Sequence, residues 1–250
     1  IMDISIGILA GGKSNRFGLN KATINLNGKS IISNQILEIL NLSFISKIIL
    51  ISVRNEQQIN EIISAISNDL SEKNIYCQIY DDRIKLTNNV KIKNFELKFI
   101  IDQVPKNYLF NDTRAAIFGL YSLFNYIKKG YVQIIPCDMP FFKAEIMKII
   151  FEKIINYNKI SKRICDALIP KWNNGHVEPL NSIYLVETYL ERIKYNIENG
   201  IFKLTKILSQ NDCVIYFEIE KELNNIDPQF NSFLNINQYS DLEKIHKEDG

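Results

Sequence analysis

The chain alternates between short apolar runs and longer stretches with helical periodicity. Four runs are nearly continuous, which is typical of strands covered on both faces; they are Ile4–Ala10, Lys47–Val53, Leu97–Ile101 and Tyr131–Pro136. Between them, apolar residues recur at i, i+3 and i+4 spacing, which predicts helices at Ile31–Leu40, Glu56–Ile66 and Ala115–Ile127. This alternation predicts an α/β fold with a mostly parallel sheet and helices on both faces.

The second half of the chain carries further candidate elements. We predict helices at Ala144–Ile155 and Glu187–Ile197, and strands at Glu178–Tyr184 and Val214–Ile219. Ser240–Glu243 matches a capping box, which predicts a last short helix. The sequence has no internal repeat, low-complexity tract or linker, so we predict a single domain over residues 1–250.

One stretch, Asn68–Asn94, interrupts the alternation. It contains a candidate strand, Ile75–Tyr80, followed by a polar, turn-rich segment around Thr87–Asn89. Because these parts do not continue the pattern of the flanking elements, we interpret the stretch as an inserted hairpin or flap.

Composition excludes several classes of protein. The formal charge is +2, from 30 Lys+Arg and 28 Asp+Glu, which argues against a nucleic-acid or membrane partner. No apolar run approaches the roughly 18 residues of a membrane helix. The four cysteines are scattered, which predicts a reducing cytoplasm and neither a disulfide framework nor a zinc site; they are Cys77, Cys137, Cys165 and Cys213.

The stretch Gly7–Ser14, GILAGGKS, fits the P-loop pattern G-x-x-x-x-G-K-[ST]. In a P-loop the first glycine ends the strand and the Lys-Ser pair opens a helix. Here Gly7 lies inside an apolar run, and Lys13–Lys29 is rich in Gly and Asn, which weaken helices. We therefore predict that the strand continues to about Ala10 and that this is not a P-loop.

An open loop is the alternative to a P-loop. Gly11 and Gly12 would let the backbone approach a ligand and present amide N–H groups to a phosphate. Arg16 and Lys21 would add positive charge for the same anion. A surface loop with incidental basic residues remains the competing interpretation of the segment alone.

The segment Leu9–Lys21, LAGGKSNRFGLNK, resembles the L-A-G-G-x-S-x-R-[MF]-G-x-[DN]-K signature of the molybdenum-cofactor guanylyltransferases. These belong to the nucleotidyltransferases with a Rossmann-like, three-layer fold. Further family elements follow in order: Asp102, Cys137–Pro140, Glu178–Leu180 and Asn235–Asn237. One stretch and one single position depart from the family pattern. Thr113–Leu120 replaces a glycine-rich stretch, which puts the loop near the acceptor in doubt, and Asn20 stands where many members have Asp.

The resemblance implies transfer of GMP from GTP to the terminal phosphate of molybdopterin, with Mg²⁺ as cofactor. It also implies transient contacts with other proteins of the same biosynthesis. Lys21 and Arg16 would stabilise phosphate charge, and Asp138 would bind Mg²⁺. The nucleotide would contact Leu9, Ala10, Gly11, Gly12, Ser14, Lys21, Ser52 and Asp102. The acceptor would contact Asn235, Asn237 and Lys203.

Strand order gives independent support for a site. Leu9, Ser52, Asp102 and Asp138 follow or end four predicted strands. The carboxyl ends of parallel strands meet at one edge of a sheet, so we expect these residues to share a crevice. Two other functions remain open: transfer of a nucleotidyl group, CMP included, to a sugar phosphate or phospholactate, and nucleotide binding without catalysis.

Overall fold

The computed structural model describes residues 4–11, 20–43, 45–71, 75–80, 83–88, 94–105, 108, 115–236 and 241. Its strands are β1 Ile4–Leu9, β2 Asn25–Leu26, β3 Lys29–Ser30, β4 Ile45–Val53, β5 Ile75–Tyr80, β6 Arg83–Asn88, β7 Asn94–Ile101, β8 Tyr131–Pro136, β9 Ala167–Lys171, β10 Ile183–Leu185 and β11 Val214–Glu218. Its α-helices are α1 Ile31–Ile39, α2 Glu56–Ser71, α3 Ala116–Ile127, α4 Ala144–Ile160, α5 Val186–Glu198 and α6 Ile219–Leu223.

One sheet organises the fold, with the strand order β11-β9-β10-β8-β1-β4-β7-β6-β5. The central strand β1 pairs in parallel with β4 and β8, and β4 pairs in parallel with β7. Among the strands of the described residues, β10 and β6 run against the others, so seven of these nine strands share one direction. The predicted mostly parallel α/β sheet is confirmed.

Helices cover both faces of this sheet, which makes three layers. On one face, α1, α2 and α4 pack apolar residues such as Ile36, Ile66 and Ile150 into a large buried cluster. On the other face, α3 and α5 do the same with residues such as Leu123 and Ile193. Strands buried between two helical layers need apolar side chains at nearly every position, which explains the continuous runs in the sequence.

The inserted stretch forms a hairpin, as one of the two interpretations predicts. Its strand Ile75–Tyr80 is β5, and β5 pairs antiparallel with β6. Because β6 also pairs with β7, the hairpin extends the edge of the main sheet rather than covering it as a flap. Two details of the interpretation were wrong: α2 continues to Ser71, and Thr87 pairs within β6 instead of lying in a turn.

The strand predicted at Glu178–Tyr184 was also wrong over most of its length. Only Ile183–Leu185 is a strand, and residues 178–182 form a turn in which Ser182 Oγ donates to the Glu178 carbonyl. Periodicity missed β9 because its apolar run is short and contains Pro170. The helix predicted at Ser240–Glu243 lies outside the described residues apart from Asp241. In the described part of the chain, no helix has the length and apolarity that crossing a bilayer requires.

Candidate active site

A crevice lies at the carboxyl ends of the central strands, where Leu9, Ser52, Asp102 and Asp138 come together. Leu9 ends β1 and lies in register with Ser52 of β4. Asp102 directly follows β7, and Asp138 comes two residues after β8. The expectation that four strand ends share one crevice is therefore met.

Lys21 and Asp138 meet in this crevice although 117 residues separate them. Lys21 Nζ lies 3.4 Å from Asp138 Oδ2 and donates to the Ile236 carbonyl oxygen at 2.8 Å. The Ile236 amide in turn donates to the Asp138 carbonyl oxygen at 2.8 Å. The C-terminal segment thus braces the pair, while the lysine and aspartate side chains stay 22% and 26% exposed.

Burial of the turn after β8 raises the pKa of two neighbouring acidic groups, Asp138 and Cys137. Burial raises the pKa of the Asp138 carboxyl above its usual range, and the nearby Lys21 ammonium acts against this shift. Burial, assisted by the Asp138 charge, also raises the pKa of the Cys137 thiol to about 12. Cys137 is therefore a neutral thiol at physiological pH and not an activated nucleophile.

Asp102 forms the floor of the crevice together with two glycines. Ser52 Oγ donates to Asp102 Oδ1 at 2.5 Å. A Cβ built on Gly11 would lie 2.2 Å from Asp102 Oδ2, and one built on Gly119 would lie 2.5 Å from Ser52 Oγ. The absence of a side chain at Gly11 therefore makes room for the Asp102 carboxylate, and its absence at Gly119 makes room for the Ser52 hydroxyl.

Gly7 does not act as a P-loop glycine. It lies inside β1, opposite Leu50 and Ile134, so the strand passes through it. A Cβ there would lie 2.7 Å from Leu123 Cδ1, which shows that Gly7 lets α3 pack closely on β1. The described residues 20–29 form a 3₁₀ turn at Lys21–Thr23 and the β2–β3 hairpin, not an α-helix.

A second cavity adjoins the crevice and is lined mainly by residues 176–181 and 202–205. Lys203 and Asn235, predicted as acceptor contacts, both line it, together with His176 and Glu178. Its volume of about 390 Å³ lies within the range of small-molecule sites. Asp138 lines both cavities and therefore lies at their junction.

Several predicted site residues lie outside the described residues. These are Gly12, Ser14 and Arg16 of the glycine-rich loop and Asn237 near the C-terminus. Of the altered stretch, the described residues begin at Ala115, and Ala115, Ala116 and Gly119 line the crevice.

Two buried glutamines next to the site were missed in the sequence. Gln35 of α1 donates to backbone oxygens around Asp138, and Gln58 of α2 donates to the Ala10 carbonyl at 2.6 Å. Leu9 and Ala10 are expected nucleotide contacts, but the carbonyl oxygen of Ala10 already accepts from Gln58 and that of Leu9 from the Cys137 amide. Both glutamines lie on the apolar face of an amphipathic helix, and this unusual placement of a polar residue is the sequence signal that could have identified them.

Comparison with known proteins gives a consistent picture. The sequence profile of the MobA-like NTP transferase domain matches residues 6–214. A probable molybdenum cofactor guanylyltransferase of Thermococcus sibiricus is 28% identical over 245 residues, which cover 95% of each chain. A probable molybdenum cofactor guanylyltransferase of Pyrococcus horikoshii is 25% identical over 245 residues, which cover 98% of this chain and 100% of the relative.

The fold also occurs among solved structures. Molybdopterin-guanine dinucleotide biosynthesis protein A from Archaeoglobus fulgidus aligns with a TM-score of 0.63 and 24% sequence identity, covering 98% of both chains. At this identity the likeness shows the shared fold. The family profile covers most of the chain and includes the four strand ends that build the crevice. The protein therefore belongs to the MobA-like NTP transferase domain family and is a nucleotidyltransferase.

Proposed function

We propose that the protein transfers GMP from GTP to the terminal phosphate of molybdopterin and releases pyrophosphate. The observation that carries this proposal is the position of the Lys21–Asp138 pair where two cavities meet. A transferase needs its donor and acceptor in adjacent spaces with the charged groups between them. The names of the full-length relatives support GTP and molybdopterin as the two substrates.

The reaction joins an acceptor phosphate oxygen to the α-phosphorus of GTP while the bond to the pyrophosphate oxygen breaks. Such transfers depend mainly on positioning and on stabilising negative charge. We assign this stabilisation to the Lys21 ammonium, which the Ile236 carbonyl oxygen and Asp138 hold at the junction. Gly11 lines the same crevice and would bring backbone close to a phosphate. Arg16 would hold the outer phosphates, and Gly12 and Ser14 would complete the loop.

The residues at the junction fit a magnesium ion. In the described part of the chain, no three His, Cys, Asp or Glu side chains cluster as a preformed metal cage. Magnesium is commonly held by one or two carboxylates together with substrate phosphates, and Asp138 offers such a carboxylate. When bound, Mg²⁺ would neutralise triphosphate charge and assist pyrophosphate departure. Burial raises the pKa of Asp138 because an isolated carboxylate is poorly solvated there, and a bound cation would offset this cost.

For the two substrates, we assign the base and ribose to the side of Leu9, Ser52 and Asp102. We assign molybdopterin to the second cavity, where Lys203 would contact its phosphate and Asn235, with Asn237, would contact its pterin.

Changing both Asn235 and Asn237 to alanine should raise the KM for molybdopterin and leave GTP affinity unchanged. An equal loss of GTP affinity would place this segment at the nucleotide instead.

The decisive experiment separates the nucleotide from the acceptor. GTP, CTP and ATP are titrated calorimetrically into the purified protein with Mg²⁺, and products from each nucleotide with molybdopterin, a sugar phosphate or phospholactate are identified by mass spectrometry. Guanine presents N1–H and N2–H₂ donors that cytosine and adenine do not match. A buried unpaired polar group costs roughly 1–3 kcal/mol, so GTP should bind at least about tenfold more tightly.

Each alternative predicts a different result. Preference for CTP would indicate a cytidylyltransferase, and a guanylylated sugar phosphate or phospholactate would indicate another acceptor. Equally weak binding of all three nucleotides without product would favour a nucleotide-binding protein without catalysis.

A further inference from the structure

Two glutamine side chains are buried beneath the carboxyl ends of the central strands. Gln35 lies on α1 and Gln58 on α2, and each is only 1% exposed. Their helices pack on the same face of the sheet, in a cluster otherwise built from apolar side chains. A buried amide is costly unless its donors and acceptors are used, so the partners of each glutamine indicate what it does.

The Gln58 amide connects three separate parts of the chain. Its Nε2 donates to the Ala10 carbonyl oxygen at 2.6 Å and to Asn20 Oδ1 at 3.1 Å. Its Oε1 accepts from the Arg54 amide at 2.8 Å, just beyond β4. Ala10 and Asn20 flank the glycine-rich loop in the sequence, so one side chain fixes both ends of that loop.

These contacts reach the proposed phosphate ligands directly. The peptide between Ala10 and Gly11 is planar and trans, so holding the Ala10 carbonyl also sets the direction of the Gly11 N–H. On the other side, Asn20 Oδ1 also accepts from the Ala22 amide at 3.2 Å and caps the 3₁₀ turn that begins at Lys21. Gln58 thereby orients Gly11 and Lys21 without contacting the substrate.

Gln35 makes the matching contacts on the opposite side of the crevice. Its Nε2 donates to the Pro136 and Met139 carbonyl oxygens at 2.9 and 3.0 Å. These two residues flank Cys137 and Asp138, so the amide closes the turn that carries the Asp138 carboxylate. Gln35 Oε1 is buried and has no hydrogen-bond partner among the described residues. Both N–H groups of the Gln35 amide are therefore used, although leaving its Oε1 buried without a hydrogen bond costs stability.

We propose that Gln58 and Gln35 are positioning residues of the transfer reaction: Gln58 sets the Gly11–Lys21 side of the crevice, and Gln35 sets Asp138. This inference rests on the proposed function, because it takes Lys21 and Asp138 as the groups that act on the substrate. It requires the two glutamines to affect different steps. Gln58 should govern nucleotide affinity, and Gln35 should govern turnover.

The test replaces each glutamine by methionine, which has a similar volume but no amide donors. Gln57→Met is the matched control, because Gln57 is the preceding residue on α2, exposed, and bonded only to Glu61 among the described side chains. For each full-length variant, the GTP dissociation constant, the KM of each substrate, kcat and the thermal midpoint are measured. A misplacement of about 1 Å can cost a hundredfold in rate, so effects of at least about tenfold are expected.

Two distinct kinetic patterns are expected. Gln58→Met should weaken GTP binding at least about tenfold and leave the molybdopterin KM within about twofold of the unmodified protein. Gln35→Met should lower kcat at least about tenfold and keep the GTP dissociation constant within about threefold. Gln57→Met should match the unmodified protein in every quantity.

Asn20 offers a second route if Gln58→Met fails to fold. Asn20→Asp keeps an oxygen that accepts from Gln58 and Ala22 but loses the amide that donates to Glu61, whereas Asn20→Leu removes both groups. We therefore expect Asn20→Asp to bind GTP at least about tenfold more tightly than Asn20→Leu. Equal binding by these two variants would contradict the role of Gln58.

The inference is overturned if folded Gln58→Met and Gln35→Met behave like Gln57→Met below their thermal midpoints. It is also overturned if they lose only thermal stability, since a purely structural role has that effect. Failure of the proposed function gives a different result, because the unmodified protein would then bind another nucleotide or form another product. The effect of Gln58 would still be measurable as the affinity for whichever nucleotide binds.

Discussion

At the scale of single residues, the Asp138 carboxylate occupies the most consequential position in the molecule. It borders both cavities, lies 3.4 Å from the Lys21 ammonium, and has a pKa raised by burial. Its backbone carbonyl accepts from the Ile236 amide, so the turn itself is held independently of the side-chain charge. Removing the charge should therefore affect chemistry more than folding.

Asp138→Asn tests this separation. We expect turnover to fall at least about a hundredfold, as when other enzymes lose an electrostatic contact to the transition state. The thermal midpoint should change little, because the asparagine fills the same space and Lys21 keeps its bond to the Ile236 carbonyl. Kinetics and a thermal unfolding curve measure both quantities. Near-normal turnover in the folded variant would remove Asp138 from the proposed metal site.

A pair of lysines tests the open-loop interpretation against the P-loop. Lys21 reaches the junction of the cavities, whereas Lys13 is the residue that a P-loop would use. We expect Lys21→Ala to weaken GTP binding or abolish turnover, and Lys13→Ala to leave GTP binding largely intact. Calorimetric titration of both variants decides between them, and the reverse pattern would restore the P-loop interpretation.

At the scale of elements, the first turn of α3 approaches the strand ends unusually closely. Gly119 makes this approach possible, because a Cβ there would lie 2.5 Å from Ser52 Oγ and 2.9 Å from Leu9 Cδ2. The glycine also faces Asp102, so α3 forms one wall of the crevice. The spacing between this helix and the sheet therefore sets the width of the proposed nucleotide site.

Gly119→Ala tests this packing through the direction in which it changes the free energy of unfolding. In a helix without close neighbours, alanine stabilises by roughly 1 kcal/mol relative to glycine. Here we expect no gain in the free energy of unfolding and a weaker affinity for GTP, because Ser52 and Leu9 must shift. Chemical denaturation and calorimetric titration provide the two measurements. A more stable protein with unchanged GTP affinity would show that α3 is not packed as described.

At the scale of the whole molecule, three hydrogen-bonded carboxylates make the stability of the fold depend on pH. Burial opposes their ionisation, but hydrogen bonds outweigh it and lower the pKa of Asp69, Asp212 and Asp227. Asp69 bonds to Ser30, Asp212 to Arg192, and Asp227 to Ser232. A lowered pKa means that the folded protein gains stability from each charge above the pKa of the unfolded chain.

The free energy of unfolding should therefore vary little between about pH 7 and pH 5 and fall below about pH 4, where unfolded carboxyls take up protons. Asp138 acts in the opposite direction, because its raised pKa lets the folded state bind a proton first. Because three carboxyl groups have a lowered pKa and one has a raised pKa, the free energy of unfolding should still fall on acidification. Urea denaturation at pH 7, 5 and 3.5 measures the effect, and Asp227→Asn should reduce the pH dependence. Stability that increases on acidification through pH 4 would contradict the prediction.

The sequence by itself determined the parallel core and the crevice. Strands between two helical layers need continuous apolar runs, and these runs predicted β1, β4, β7 and β8 to within three residues at each end. Once the strands were parallel, their carboxyl ends had to meet, which brought Ser52 and Asp102 together. The local sequence pattern is sufficient to predict such strands because nearly every position in them is buried and therefore apolar.

Only the tertiary structure decided the features that depend on a distant partner. The hairpin beyond Ser71 joins the sheet edge because β7 offers free backbone groups there, which no local pattern records. Residues 178–182 form a turn although they resemble a strand, since contacts with Pro170 and Ile134 compete with regular pairing. The donors of Gln35 and Gln58 find oxygens that lie 101 and 48 residues away. Hydrogen-bond partners at such separations are set by the packing of the whole chain, so the sequence shows the amides but not what they hold.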